Sequence, residues 1–168
     1  KASIQFNDIA IGIIWLFHIS GIVGILYGNS QWFVGATPLN LTLSFVLLMF
    51  TSREEPKVYW MAAIAFLVGM VAEALGVNYG IIFGQYTYGD ALGWKIVGVP
   101  WLIGVNWAIL TICCAAIAAN LAGHILSKIF LGIGLMLLLD AVIEPIAPLL
   151  DFWEFTGGMA PNQNYIGW

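Results

Sequence analysis

Residues 69–106 read GMVAEALGVNYGIIFGQYTYGDALGWKIVGVPWLIGVN. Two apolar segments there flank a link that is crowded with aromatic, amide and acidic residues. Glu73 lies in the first segment, about one turn before that segment ends, and a carboxyl group inside a membrane is energetically expensive. Past the link, the second segment begins with Pro100, Trp101 and Asn106. The stretch therefore gathers polar side chains from two helices near one membrane surface, which predicts a functional site.

Composition places the chain among membrane proteins. Of its 168 residues, 61% are hydrophobic and only 8% are charged, against about 25% charged residues in soluble domains. A spanning helix needs roughly 20 mostly apolar residues, so the chain has room for about five of them. We expect an all-α fold, a polytopic transmembrane helical bundle that forms a single integral membrane domain over residues 1–168. The predicted spans are residues 8–27, 32–50, 59–77, 99–119 and 125–146.

Several features exclude other classes of function. The net charge of -4 and the lack of a basic run argue against a nucleic-acid partner. Cys113 and Cys114 are adjacent in an apolar segment, which favours plain packing over a disulfide or a metal site. We interpret His18 as a buried group bonded to a neighbouring helix. The first segment lacks a basic n-region, so we expect a retained helix, and the end of the sequence, residues 157–168, suggests part of a longer protein.

The positions of the basic residues predict the orientation. Alternating links put Lys1, Arg53, Lys57 and Lys128 on the side of the N-terminus and Lys95 on the other side. By the positive-inside rule, the N-terminus is then cytoplasmic. We expect an integral protein of the cell (plasma) membrane. The predicted site faces the outer surface.

Three carboxyl groups converge toward that outer face. Asp140 and Glu144 are four residues apart, hence on one helix face, and they join Glu73. One interpretation is that they are acids hydrated by lipid headgroups near helix ends. Each lies inside apolar sequence, however, and placing such a group at a helix centre costs about 2.5–3.5 kcal/mol of insertion free energy. We therefore interpret Asp140, Glu144 and Glu73 as catalytic, and we expect at least one to stay protonated at neutral pH and to serve as a general acid.

Two interpretations apply to the aromatic residues around the link and in the C-terminal part, namely Trp94, Trp101, Trp107, Trp153, Trp168, Tyr79, Tyr86 and Tyr88. One is the belt of Trp and Tyr found at membrane interfaces. The other is a cavity wall whose ring faces stabilise a developing carbocation, and the nearby acids favour it. The predicted substrate-binding residues are Tyr79, Tyr86, Tyr88, Trp101, Asn106 and Trp107.

Three blocks of the second half resemble the CruF-type membrane carotenoid 1,2-hydratases, the bisanhydrobacterioruberin hydratase-like carotenoid biosynthesis proteins. They are EALGVNYGIIFGQYTYGDALGWKIVGVPWLIGVNW (73–107), LLLDAVIEPIAPLLDFWEF (137–155) and APNQNYIGW (160–168). The resemblance implies a hydro-lyase that adds water across the terminal 1,2 double bond of an acyclic carotenoid in the lipid bilayer. It implies no metal and no redox cofactor. It carries over no assigned catalytic residues, so the roles of the three acids are inferred from their chemistry.

Hydration requires an acid, a cavity that tolerates a tertiary cation, and one positioned water. We expect Asp140 or Glu144 to protonate C2 and Glu73 to orient the water as a base. A membrane carotenoid (lycopene-type) cyclase would use the same protonation with an internal alkene in place of water. A non-catalytic proton-linked carrier or pigment-complex subunit is a third alternative, which acids confined to one side fit poorly. The carotenoid, the number of ends modified and the oligomeric state stay open.

Overall fold

The computed structural model describes residues 5–168 and confirms an all-α membrane fold. Within these residues, four helices are long and apolar enough to cross a membrane, namely Phe6–Tyr27, Pro56–Tyr79, Trp101–Leu121 and Ile125–Ile143. The helices in chain order are α1 (Phe6–Tyr27), α2 (Ser30–Gly35), α3 (Thr37–Thr51), α4 (Pro56–Tyr79), α5 (Trp101–Leu121), α6 (Ile125–Ile143) and α7 (Asn162–Gly167). The strands are β1 (Tyr86–Tyr88), β2 (Lys95–Ile96), β3 (Val99–Pro100) and β4 (Trp153–Phe155), and Pro148–Leu150 forms a 3-10 turn.

The second predicted span, residues 32–50, differs from the structure because it is divided into α2 and α3. Pro38 lies in the first turn of α3, where its missing N–H suits the start of a helix better than the interior. Asn29 begins α2, and its side chain accepts a hydrogen bond from the Trp32 N–H at 3.2 Å. At 15 residues, α3 is shorter than the roughly 20 residues of a full span.

The short helices still return the chain across the bundle. Phe6 at the start of α1 packs against Phe50 near the end of α3, with 6.4 Å between ring centroids. The Tyr59 hydroxyl, in the first turns of α4, donates to the Met49 carbonyl at 2.9 Å. Because α1 and α4 begin on the same side, the alternation of the links is preserved although only four helices are long.

The last long helix ends earlier than the predicted residue 146. It stops at Ile143, because Pro145 has no N–H for the helix ladder and its ring would clash with the preceding turn. The Glu144 N–H still bonds the Asp140 carbonyl at 2.9 Å. This keeps the two acids one turn apart at the end of α6.

The link after α4 and the segment after α6 form small antiparallel sheets that the sequence did not predict. Strand β1 pairs with β4, so that Tyr86 faces Phe155 and Tyr88 faces Trp153, and β2 pairs with β3. Side chains alternate along a strand, which turns both tyrosines inward and Thr87 outward. The β1–β4 sheet therefore ties the end of α4 to the end of α6.

Helices α4 and α5 approach closely where a glycine faces bulky side chains. A Cβ on Gly104 of α5 would lie 2.7 Å from the Phe66 ring and 2.7 Å from Met70 Cγ, both on α4. Contacts below 3 Å force neighbouring atoms to move, and overpacking of this kind costs about 1–3 kcal/mol.

We therefore expect Gly104→Ala to lower the thermal stability of the purified protein, although alanine by itself favours a helix over glycine by about 1 kcal/mol. The matched control is Gly132→Ala on α6, where a Cβ meets nothing within 4 Å among residues 5–168. The control should keep or slightly raise the Tm in detergent. Equal Tm values for the two variants would contradict this account of the helix contact.

Candidate active site

A cavity of about 550 Å³ lies beside α4, α5 and α6, next to the β1–β4 sheet. This volume is within the range of about 300–1,000 Å³ for small-molecule sites. Its wall is mostly apolar, and it includes the three acids predicted from the sequence. The polar and aromatic lining residues are His18, Glu73, Phe83, Tyr86, Tyr88, Asn106, Trp107, Asp140, Glu144, Trp153, Phe155, Asn164 and Trp168.

Glu73 is 5% exposed and accepts hydrogen bonds from three donors. The hydroxyls of Tyr86 and Tyr88 donate to its Oε2 at 2.5 and 2.7 Å, and Trp107 Nε1 donates to its Oε1 at 3.0 Å. Indole N–H is a donor only, and an ionised carboxylate is an acceptor only. The arrangement therefore suits a Glu73 that is a carboxylate.

Two glycines on α4 let these rings reach Glu73. A Cβ on Gly76 would lie 2.6 Å from the Tyr86 hydroxyl oxygen, and one on Gly69 would overlap the Trp107 ring. Gly69 lies four residues before Glu73 and Gly76 lies three residues after it, so all three share one helix face. The missing side chains thus create the space that the donors occupy.

Tyr86 and Tyr88 lie in β1, outside the spanning helices. Burial, and next the Glu73 carboxylate, raise the pKa of both hydroxyls above their usual range. Both groups therefore stay protonated, and they remain hydrogen-bond donors to Glu73 at any physiological pH.

Asp140 and Glu144 form a second cluster. Asn164 Nδ2 donates to Asp140 Oδ2 at 2.7 Å and, at 3.4 Å, to Glu144 Oε1. Trp153 Nε1 lies 3.3 Å from both Glu144 oxygens. Burial, and then the Asp140 carboxyl, raise the pKa of Glu144, which lies one residue past the end of α6. Since two adjoining carboxyls do not both ionise readily, the pair is suited to holding one proton.

Helix α7 closes one side of the cavity. Its Asn164 is 2% exposed, and Trp168 after it stacks on Trp107 with 4.6 Å between centroids and 3° between ring planes. The Trp107 indole thus contacts Trp168 on its face while its N–H bonds Glu73. The end of the chain is thereby linked to both acidic clusters.

Of the predicted substrate-binding residues, the structure brings four to the cavity and leaves two outside. Tyr86, Tyr88, Asn106 and Trp107 line it. Tyr79 is 72% exposed at the end of α4, and Trp101 begins α5 away from the cavity. Tyr79 lies six residues after Glu73 on α4, and Trp101 lies six residues before Trp107 on α5. Two helix residues that are six positions apart point about 120° away from each other.

Several lining residues were not assigned by sequence reasoning. Phe83 and Asn164 come from a loop and a short helix that carry no periodic signal, whereas Trp153 and Trp168 were among the aromatic residues considered for the cavity wall. The interpretation of His18 as a buried group bonded to a neighbouring helix is wrong, because His18 is exposed and its Nδ1 bonds the Ile14 carbonyl of its own helix at 2.8 Å. His18 also lines this cavity. A polar residue within an otherwise apolar span was the available signal for His18, as it was for the acids.

Comparisons with known proteins identify the family of this chain. The family described as carotenoid biosynthesis protein matches residues 37–168. Among curated proteins, a bisanhydrobacterioruberin hydratase of Haloarcula japonica is 30% identical over 106 residues, which cover 57% of this chain and 36% of that protein. The chain thus matches about a third of that relative's length. No solved structure matches the chain.

Proposed function

The chain belongs to the carotenoid biosynthesis protein family, and from this premise we propose that it hydrates the terminal 1,2 double bond of an acyclic carotenoid. The observation that carries the proposal is the pairing of two acidic clusters in one apolar cavity. Glu73 is surrounded by donors, whereas Asp140 and Glu144 adjoin each other. The relative from Haloarcula japonica is a hydratase, which supports the same reaction class.

In the first proposed step, the Asp140–Glu144 pair donates a proton to C2 of the end group. The tertiary cation then forms at C1, the more substituted carbon. A positioned general acid contributes about 10²–10⁴-fold in rate. Asn164 orients the pair through its amide N–H bonds, and we assign it a positioning role.

The cation at C1 requires electron-rich surroundings from which bulk water is excluded. The rings of Phe83, Tyr86, Tyr88 and Phe155 line the cavity, and ring faces attract positive charge. The Glu73 carboxylate adds a negative charge to the same wall. These groups act on charge that develops only in the transition state, which is where stabilisation accelerates a reaction.

In the second step, one water attacks C1. Its oxygen forms the new C–O bond, and its proton passes to Glu73, while the Asn106 amide helps to hold the water. Return of that proton to the Asp140–Glu144 pair restores the starting state. The net reaction adds one water to the alkene and gives a tertiary alcohol, with no net oxidation or reduction.

Pigment mass tests the function. We would express the protein in cells that accumulate an acyclic carotene and expect the pigments to gain the mass of one or two waters. An isomer of unchanged mass would instead indicate the cyclase, in which an internal alkene captures the cation. Untouched carotene beside well-inserted protein would indicate a carrier or a pigment-complex subunit.

We propose the plasma membrane as the location, with a cytoplasmic N-terminus and the cavity toward the outer face. Arg53 and Lys57 lie in and beside the turn that joins α3 to α4, and Lys128 lies in the first turn of α6. Lys95 is in the link beside the cavity, and Lys1 is outside the described residues. Cysteine labelling from outside the cell at Lys95→Cys, against Arg53→Cys, tests this orientation.

The proposed acid makes the rate fall as pH rises. A donor with a raised pKa is protonated below that pKa and loses its proton above it, so kcat/KM should fall as pH rises through that pKa. If Glu144 carries the proton, the falling limb lies above the usual Glu range of about 4.3. Rates of membrane vesicles over pH check this, with Glu154→Gln, an exposed site, as the control. A flat profile through neutral pH would contradict the assignment.

A further inference from the structure

The cavity that holds the acids continues into an apolar end. Helix α5 forms its back wall through Ile103, Asn106, Trp107 and Leu110, whose spacings of three, four and seven residues place them on one helix face. Trp107 bonds Glu73, and Leu110 lies almost one turn farther from the membrane surface at which α5 begins. The cavity therefore extends from the carboxyl groups toward the middle of the bilayer.

The two sides of the cavity come from α1 and α6. His18 and Ile22 line it from α1, and Leu139 and Ile143 line it from α6. These helices pack on different neighbours, since α1 contacts α2 and α3 whereas α6 contacts α5. Ile22 is 59% exposed and Leu139 is 44% exposed, although both line the cavity. Within residues 5–168 the cavity is therefore open to the lipid between α1 and α6.

The deep end of this opening is formed by one residue from each of the three helices. Helices α1 and α6 run toward the surface near which the acids lie, and α5 runs away from it. Hence His18, Leu139 and Leu110 are the lining residues farthest from that surface. From Ile103 to Leu110 the wall of α5 is about 10 Å long at a rise of 1.5 Å per residue. An acyclic carotenoid is several times longer than this wall.

We propose that the opening between α1 and α6 is the binding groove for the polyene of the carotenoid. The inference rests on the proposed hydration, which places the reacting double bond beside Asp140 and Glu144. With the end group there, the rest of the chain leaves the cavity past Leu139 and extends toward the bilayer centre. Lipid tails are as apolar as the walls of the groove, so hydrophobicity favours neither place. The shape of the groove therefore selects the chain and sets how far its end group reaches.

Photo-cross-linking tests the groove independently of turnover. A benzophenone amino acid placed at Leu139 or at Ile22 should capture lycopene, an acyclic carotene, in vesicles that contain the whole protein. The matched controls are the adjoining residues Leu138 and Val23, which are exposed on the same helices and do not line the cavity. Several-fold more pigment should be bound covalently at the groove positions than at the controls. Equal capture would overturn the proposal, since a lipid chain would then fill the groove.

Tryptophan at the same positions tests the effect on hydration. Leu139→Trp and Ile22→Trp should lower kcat/KM for lycopene by about tenfold or more, because displacing a reacting group by about 1 Å can cost about 10²-fold. Citronellene, a short terpene, has the same dimethyl-substituted terminal alkene and no polyene, so its hydration should fall less. The ratio of the two rates should shift toward citronellene in these variants and stay unchanged in Leu138→Trp and Val23→Trp.

The outcomes separate the groove from the hydration. An unchanged ratio in both groove variants would contradict the proposal, and if the unaltered protein does not hydrate citronellene, the cross-linking decides. Capture at Leu139 and Ile22 without any hydrated product from the unaltered protein would support the polyene site and refute the hydration. Hydrated lycopene together with equal capture at all four positions would refute the groove and leave the hydration in place.

Discussion

Exchanging Asp140 for asparagine, or Glu144 for glutamine, is expected to lower hydration by about 10²–10⁴-fold. An amide keeps the size and much of the hydrogen bonding of the carboxyl group, but it is far too weak an acid to protonate an alkene. Because the two groups share the Asn164 amide, we expect them to act as a unit. The double variant should therefore be no worse than the more damaging single one.

The measurement is the amount of hydrated pigment divided by the amount of protein inserted in the membrane. Asp151→Asn provides a matched control, because Asp151 is exposed and accepts from the Asp90 and Ala91 N–H groups at 2.8 and 3.1 Å, outside the cavity. It should retain most of the activity. Full hydration by both Asp140→Asn and Glu144→Gln would remove these residues from the mechanism.

Glu73→Gln is expected to produce the second largest loss, about 10²-fold or more, with a different signature. The variant loses the base that takes the water proton, yet the Asp140–Glu144 pair still protonates the alkene. In D₂O it should therefore place deuterium in recovered alkene without hydrating it, whereas Asp140→Asn should do neither. This difference separates the base from the acid.

Tyr88→Phe is the comparison for Glu73→Gln. It removes one of three donors and leaves the carboxylate, so we expect a loss of about tenfold, as for one hydrogen bond to a charged group. An equal loss in Tyr88→Phe and Glu73→Gln would mean that the tyrosine hydroxyl, rather than the carboxylate, governs the water. No deuterium in the alkene recovered from Glu73→Gln would contradict its assignment as base.

The acids were predictable because each is an isolated charge in an apolar sequence. Glu73, Asp140 and Glu144 stand out by the free-energy cost of a carboxyl group in lipid. The alternating direction of the spans then placed all three on the same side of the membrane. This alternation is preserved although the second span is divided into α2 and α3, since α3 returns to the side where α1 begins. Helix periodicity would also have excluded Tyr79 and Trp101, because six residues turn a side chain to another face.

The rest depended on contacts between distant parts of the chain. Tyr86 faces Phe155 in the β1–β4 sheet, and Asn164 reaches Asp140 across 24 residues. Strands of three residues and a helix of six are too short to give a hydrophobic period. Their positions follow from tertiary packing around the carboxyl groups, which a local pattern does not record.

The most direct test of the central claim is hydration in water enriched in ¹⁸O and deuterium. The account predicts a tertiary alcohol that carries one ¹⁸O and one non-exchangeable deuterium at C2 for each hydrated end. Both labels should be lost together in the Asp140→Asn, Glu144→Gln double variant. An alcohol without ¹⁸O, or one without deuterium at C2, would contradict proton transfer followed by water capture.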